Sequence, residues 1–329
     1  MKLYSLLKNI KCRVYGSMLV DISGLYHNDK EVKNGGLFFC LSGEKFNGHD
    51  FVKNAVNNGA VAIVTEEEFF GLKNITQVIV NNVRKTMSLI ACNFYNNPTK
   101  KLKIIGVTGT NGKTTTSFML AGLIESVGKK CAVIGTNGVH YLGKVIDTGM
   151  TTPDPINLQK IFSILVKNKI EYVCMEVSAH AIYLKKLEGI IFESMIFTNL
   201  TEDHLDFFKT MENYFEAKRG IFKKQYIRNA IINIDDFYGL QLQKSINVSN
   251  FTYAIENDAM FKACNLGFAG NKQEFLFNNQ KLQTNFIGKF NIYNLTAAIA
   301  CLIILDLAQN INLQNSIDLL KPVAGRFNQ

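Results

Sequence analysis

Residues 103–128 constrain this chain more than any other stretch. The apolar run KIIGVTG passes through TNGKTTT into an amphipathic segment that closes near Gly128. Read in order, these are a strand, a glycine-rich turn and a helix. A turn of this kind lets backbone N–H groups approach an anion, and the helix N-terminus adds its partial positive charge. Lys113 is placed to hold outer phosphates as a point charge, and the Thr114 hydroxyl to ligate Mg²⁺. The general phosphate-loop pattern wants a glycine five places before Gly112, where this chain has Val107; its glycines fall at Gly106 and Gly109 instead.

From Lys103 onward apolar runs alternate with helical stretches, and KIIGVTG, KKCAVIGT, EYVCMEV, SMIFTNL and NAIINIDD read as strands. Continuous Val- and Ile-rich runs of this kind predict parallel strands covered on both faces, hence a doubly wound sheet with its site at the strands' carboxyl ends. The earlier part carries shorter apolar runs (Gly36 to Leu41, Ala60 to Val64, Val78 to Val80) and a helical stretch near Asp50 to Asn57. It reads as a small α/β domain, and the polar punctuation NNPT at 96–99 sets the boundary. The expected organisation is residues 1–98, then a phosphate-loop α/β domain over 99–322 with a mostly parallel sheet, then a short stub, 323–329.

The 329 residues, 47% of them apolar, are enough for two buried cores. The apolar run Ala297 to Leu305 ends at Asp306, well short of the roughly 20 residues of a membrane span, and MKLYSLLKNIKC lacks the layout of an export signal. A cytoplasmic protein without a membrane partner is expected. The seven cysteines, Cys12, Cys40, Cys92, Cys131, Cys174, Cys264 and Cys301, are widely spaced with no Cys-x-x-Cys pair, which argues against a structural zinc or a disulfide framework. The net charge of +9 is spread without a basic tract, so it suits polyphosphate substrates better than nucleic acid.

The loop TGTNGKTT resembles that of the Mur ligases, and the departure from the general spacing becomes a match. The likeness continues through GGLFFCLSGEKFNGHDFVKNAVNNGAVAIV, TTPD, EVSAHA, FTNLTEDHLDF, YFEAKRGIF, FNIYNLTAAIA and GRF. These blocks are most similar to the branch that adds the third amino acid, diaminopimelate or lysine, to UDP-N-acetylmuramoyl-L-alanyl-D-glutamate in peptidoglycan synthesis. The resemblance implies an ATP- and Mg²⁺-dependent, amide-forming ligase that works through an acyl phosphate, acts as a monomer, and takes the UDP-muramyl dipeptide and a free amino acid as partners.

By the same resemblance Gly109, Thr110, Asn111, Gly112, Lys113, Thr114 and Thr115 cradle the nucleotide phosphates, while Asn294 and Arg326 contact the rest of the nucleotide, with Asn291 a further candidate. Glu176, at the end of one apolar strand, and His204, after another, would bind Mg²⁺ with Thr114; Asp203 and Asp206 would orient the His204 turn. Lys218 looks like an ordinary solvated lysine of an amphipathic helix, yet the family carbamylates the lysine of its YxxAK block, making it N6-carboxylysine and an anionic metal ligand. Lys113, Glu176, His204 and Lys218 are thus the expected catalytic set. Thr151, Thr152, Ser178 and Lys186 align with contacts to the uridylyl-muramyl peptide; a turn at Thr151–Thr152 and a helix cap at Ser178 are the plainer readings, as is a cap for the helix TAAIACLIILDLA at Asn294.

The chain departs from the family pattern in places. Lys186 stands where arginine is usual, Asn28-Asp29-Lys30 where Asp-Ser-Arg is usual, Phe208 where a second histidine follows, and Ala179 where serine is common. In the family, GRF leads into a third domain that holds the incoming amino acid, whereas only Asn328 and Gln329 follow here. Two competing readings therefore stand beside the ligase: a binding module without turnover, and an ATPase or kinase of another family, which would leave TTPD and EVSAHA unexplained.

Overall fold

The computed structural model describes residues 1–43, 47–72, 74–309 and 311–322. Arg326 and the stub 323–329 lie outside the described residues. The chain divides into two compact units, one of Met1–Pro98 with Asp154–Ser163 and Leu184–Gly189, the other of Thr99–Pro153, Ile164–Tyr183 and Ile190–Gln329.

The first unit is built on strands β1 (Arg13–Tyr15), β2 (Gly24–Tyr26), β3 (Gly36–Phe39), β4 (Ala60–Thr65) and β5 (Thr76–Ile79), in the order β1-β5-β4-β3-β2. All neighbours are parallel except β1 on β5. Successive strand residues face opposite sides. Leu37, Phe39, Ala62 and Val64 therefore pack with helices α1 (Leu3–Leu6) and α3 (Val83–Phe94), while Phe38, Cys40 and Ile63 pack with α2 (Val52–Asn57). β1 and β2, three residues each, were too short to register as apolar runs in the sequence.

The second unit holds strands β6 (Lys103–Thr108), β7 (Cys131–Gly135), β8 (Gly138–Tyr141), β9 (Lys144–Ile146), β10 (Tyr172–Glu176), β11 (Phe192–Phe197), β12 (Ile227–Asn233), β13 (Ser249–Ala254), β14 (Phe261–Ala269), β15 (Lys272–Phe277) and β16 (Gln280–Thr284). The sheet order is β16-β15-β14-β13-β12-β11-β6-β10-β7-β8-β9. From β14 to β7 every neighbour is parallel; antiparallel hairpins extend the sheet at both ends. The α/β class and the mostly parallel sheet agree with the sequence reading.

Helices α4 (Lys113–Ser126), α6 (Ala179–Tyr183), α7 (Leu205–Phe208), α8 (Met211–Arg219), α9 (Phe237–Ser245), α10 (Lys289–Ile304) and α11 (Leu313–Asp318) connect or cover these strands, while α5 (Pro155–Lys167) begins in the first unit and ends in the second. Alternate residues of the central strands, Ile105, Val107, Val133, Cys174 and Ile196, meet Leu120, Leu123 and Ile124 of α4 and Leu295, Ile299 and Leu302 of α10 in one core. Burying an aliphatic side chain of this kind is worth about 1.5–3 kcal/mol, which fixes α4, and with it the loop that precedes α4, against the sheet. α10 starts at Lys289, so Asn294 sits inside the helix and does not cap it. At the far edge, the Gln314 side chain of α11 accepts from Gln283 N at 2.8 Å and donates to Gln283 O at 3.0 Å on β16. Among the described residues, no helix is long and apolar enough to cross a membrane.

Candidate functional site

The register of the central strands sets the site. Glu176 of β10 pairs with Val107 of β6, and Phe197 of β11 pairs with Thr108, so three strands end side by side where the glycine-rich loop begins. The loop is stitched to the segment after β11. Thr110 N donates to Asn199 O at 2.9 Å, Asn111 N to Asn199 Oδ1 at 2.9 Å, and Thr198 Oγ1 to Asn111 O at 2.7 Å. This gives the FTNLT block a structural reason: its polar side chains replace backbone partners that an irregular loop lacks. The first helical bond of α4 runs from Thr116 N to Gly112 O at 2.9 Å. Helix geometry directs the N–H groups that precede it out of the N-terminus, as an anion site requires.

Gly112 holds φ at +84°, and a Cβ there would run into Asn294 Oδ1. Asn294 is buried beneath the loop, where its Oδ1 accepts from Thr116 Oγ1 at 3.2 Å. Asn291 is buried one turn earlier and donates to Ile287 O at 2.8 Å.

Above the loop lies a recess of about 130 Å³, lined by residues of the second unit alone. Thr110, Asn111, Gly112, Lys113, Thr114, Thr115, Thr151, Glu176, Ser178, His204 and Lys218 all reach it. The sequence had nominated every one of these. Thr136 and Tyr214 line it as well and had been passed over. Thr136 closes the strand run KKCAVIGT, and a lone threonine at a strand end carries no signature; Tyr214 lay within the quoted YxxAK block without being singled out.

Glu176 is 1% exposed, yet its carboxylate faces neutral donors. Oε1 accepts from Thr114 Oγ1 at 2.9 Å and from Thr136 N at 3.0 Å, and Oε2 from Thr136 Oγ1 at 3.3 Å. Gly135 makes this approach possible, because a Cβ there would overlap the carboxylate. Thr152 is buried and donates to Glu176 O at 3.0 Å, so it braces the end of β10. Ser178 Oγ accepts from Ala181 N at 3.2 Å, which caps α6 while the residue still lines the recess.

Lys218 departs most from what its helix pattern suggested. It is 1% exposed, its Nζ donates to Gly109 O at 2.9 Å, and it lies 4.7 Å from the Tyr214 ring centroid. Lys113 Nζ donates to the same Gly109 O at 3.0 Å and to Thr110 O at 2.8 Å. Burial, then the neighbouring Lys113 charge, hold the Lys218 amine well below the ordinary lysine value, with Asp203 opposing in part. His204 takes the left-handed conformation at φ +55° ahead of α7, and Asp203 Oδ1 accepts from its N–H at 2.9 Å, so Asp203 shapes this turn. The His204 ring packs edge-on against His180, centroids 4.9 Å apart.

Lys186 belongs to the first unit, half-buried, where burial lowers its pKa against the pull of Asp154. In the same unit Asn28 caps a short turn by accepting from Lys30 N at 3.2 Å.

Comparison with known proteins agrees with this geometry. The Mur ligase middle domain matches residues 107–302, and the Mur ligase family catalytic domain matches residues 21–95. UDP-N-acetylmuramoyl-L-alanyl-D-glutamate–2,6-diaminopimelate ligase 1 of Clostridium acetobutylicum is 42% identical over 305 residues, 91% of this chain and 63% of the relative. The corresponding ligase of Clostridium botulinum is 40% identical over 311 residues, 92% of this chain and 64% of the relative. A solved UDP-N-acetylmuramoyl-L-alanyl-D-glutamate–2,6-diaminopimelate ligase superposes with a TM-score of 0.84 at 28% identity, covering 97% of this chain and 66% of the other. The chain thus spans a little under two thirds of the length of these relatives. With the family domains covering both units and the loop, strand ends and recess in one place, the chain belongs to the Mur ligase family.

Proposed function

We propose that this chain is the nucleotide- and UDP-muramyl-peptide-binding part of a cytoplasmic, ATP-dependent ligase that adds the third amino acid to UDP-N-acetylmuramoyl-L-alanyl-D-glutamate. The observation that carries the reading is the convergence on one recess of a phosphate loop, a buried carboxylate and a buried lysine. The names of its relatives favour diaminopimelate as the amino acid. In this reading residues 1–98 serve the UDP-muramyl substrate and 99–322 serve ATP.

In such a ligase the substrate carboxylate attacks the γ-phosphorus of ATP, the bond to the bridging oxygen breaks, and ADP leaves an acyl phosphate behind. The amine then attacks the acyl carbon and loses a proton as phosphate departs. Positioning and charge neutralisation do most of this work. Lys113 and the N-terminus of α4 would meet the phosphates, and Thr151 and Ser178, which line the same recess, would meet the muramyl peptide.

The donor set suits Mg²⁺. Glu176 is a buried carboxylate whose partners are all neutral, and a buried charge calls for a counter-charge. A bound Mg²⁺ would neutralise phosphate charge as the phosphoryl group moves. Thr114, Glu176 and His204 would hold it, with Lys218 as a fourth ligand once carbamylated. The neutral amine is the form that adds to CO₂, burial lowers the proton affinity of Lys218 towards that form, and the carbamate supplies the anionic oxygen a hard cation takes.

Calorimetry of this chain with Mg-ATP tests the reading. Binding is expected, and Lys113→Ala should weaken it at least about tenfold through loss of a charge-assisted contact. Unchanged affinity in that variant would sink the loop assignment.

A further inference from the structure

Thr136 bridges Glu176 and Thr151 at the recess. Its N–H and its hydroxyl take opposite oxygens of the Glu176 carboxylate, at 3.0 Å and 3.3 Å, and its Oγ1 lies 3.1 Å from Thr151 Oγ1. An ionised carboxylate only accepts. Thr136 must therefore spend its one hydroxyl proton on Oε2, and Thr151 must spend its proton on Thr136 Oγ1. With the Thr136 proton on Oε2 the bonds run Thr151 to Thr136 to Glu176, and Thr151 Oγ1, which lines the recess, is left to act there as an acceptor. At the other end, Oε1 carries two bonds of about 3 Å while Oε2 carries a single longer one, so Oε2 is the oxygen with capacity left for a cation.

We propose that Thr136 is a positioning residue that aims Glu176 Oε2 at the divalent cation and sets Thr151 to accept from an N–H or O–H donor of the muramyl peptide. The proposal rests on the functional reading above. The end of β7 is shaped for it: Gly135 leaves room for the carboxylate, and Thr136 is exposed at the recess, so altering its side chain leaves the core untouched. A substrate group that can only accept, such as a phosphate or carboxylate oxygen, would face the Thr151 lone pairs and be disfavoured there.

The test uses this chain with Mn²⁺ and ADP, reading bound Mn²⁺ by electron paramagnetic resonance, and with UDP-N-acetylmuramoyl-L-alanyl-D-glutamate, read by calorimetry. Thr136→Val keeps the shape and removes the hydroxyl; Thr136→Ser restores it. Thr136→Val is expected to weaken both Mn²⁺ and the muramyl dipeptide by about three- to tenfold, the net scale of one ordinary hydrogen bond in water, and Thr136→Ser to bind both as the parent does. Glu176→Gln is the reference and should abolish the Mn²⁺ signal. Loss of Mn²⁺ in Glu176→Gln with parent-like behaviour of Thr136→Val would overturn the role of Thr136 alone. Undiminished Mn²⁺ binding in Glu176→Gln would overturn the metal assignment and this proposal with it.

Discussion

The conformation of Gly112 links the phosphate loop to α10, and Gly112→Ala measures that link. Alanine in the left-handed region costs about 1–2 kcal/mol by itself. Its Cβ would also displace the Asn294 side chain, and the bond from Thr116 Oγ1 to Asn294 Oδ1 at 3.2 Å would be lost at a cost of about 1 kcal/mol. Together Gly112→Ala should destabilise the chain by about 2–3 kcal/mol. Gly143→Ala supplies the control, since φ there is +73° and a Cβ would meet nothing within 4 Å. It should cost the backbone share alone. Urea unfolding of both variants, and of Gly112→Ala in an Asn294→Ala background, completes the cycle: with the asparagine already truncated, the extra cost at Gly112 should fall to that of Gly143→Ala. Mg-ATP affinity should drop with Gly112→Ala and not with Gly143→Ala, because only the first lies in the loop. If Gly112→Ala costs no more than Gly143→Ala, or costs the same with and without the Asn294 side chain, the contact carries no energy and does not link the loop to α10.

Three further outcomes are expected. Unmodified Lys218 binds its proton less readily in the folded chain than in the unfolded one, so stability in CO₂-free buffer should rise with pH from the lowered folded value towards 10.5, and Lys218→Met should lack that rise in urea midpoints. With ¹³C-bicarbonate added, a carbamate carbon resonance should appear and be absent from Lys218→Ala; no difference between the two would remove the modification. A thiol reagent should label Cys12 and Cys264 in the native chain, and reach buried Cys40, Cys92, Cys131, Cys174 and Cys301 only after unfolding, since burial also pushes the Cys40 and Cys92 thiols up to about 12; rapid native labelling of those five would contradict the packing.

What the sequence made legible was governed by burial. β6, β7, β10, β11 and β12 are sunk in the sheet and show as continuous apolar runs. β13 and β14 were missed because SNFTYA and FKACNLGFA mix exposed and buried positions towards the sheet's end. Loop residues were readable because phosphate-loop chemistry is local in sequence. The partnership of Thr136 with Glu176 spans forty residues and depends on β7 lying beside β10, which no local pattern encodes. Lys218 lies between these cases: helix periodicity makes it a surface residue, the family likeness makes it a ligand, and its burial against Gly109 O is a tertiary fact. Thr152 and Asn294, nominated as contacts, sit beneath the recess surface and hold its frame.

The bond pair between Gln314 and Gln283 bears on the chain's behaviour before and after folding. An outermost strand offers unmet amide and carbonyl groups to any other extended chain, which is how sheets grow into aggregates. On β16 one residue's N–H and C=O are instead met by a side-chain amide that imitates the next strand. The exposed Lys281 on the same strand and Lys144 on the opposite outermost strand add charge that a second molecule would have to desolvate. A second strand approaching β16 or β9 would have to displace that amide or desolvate those lysines before it could pair.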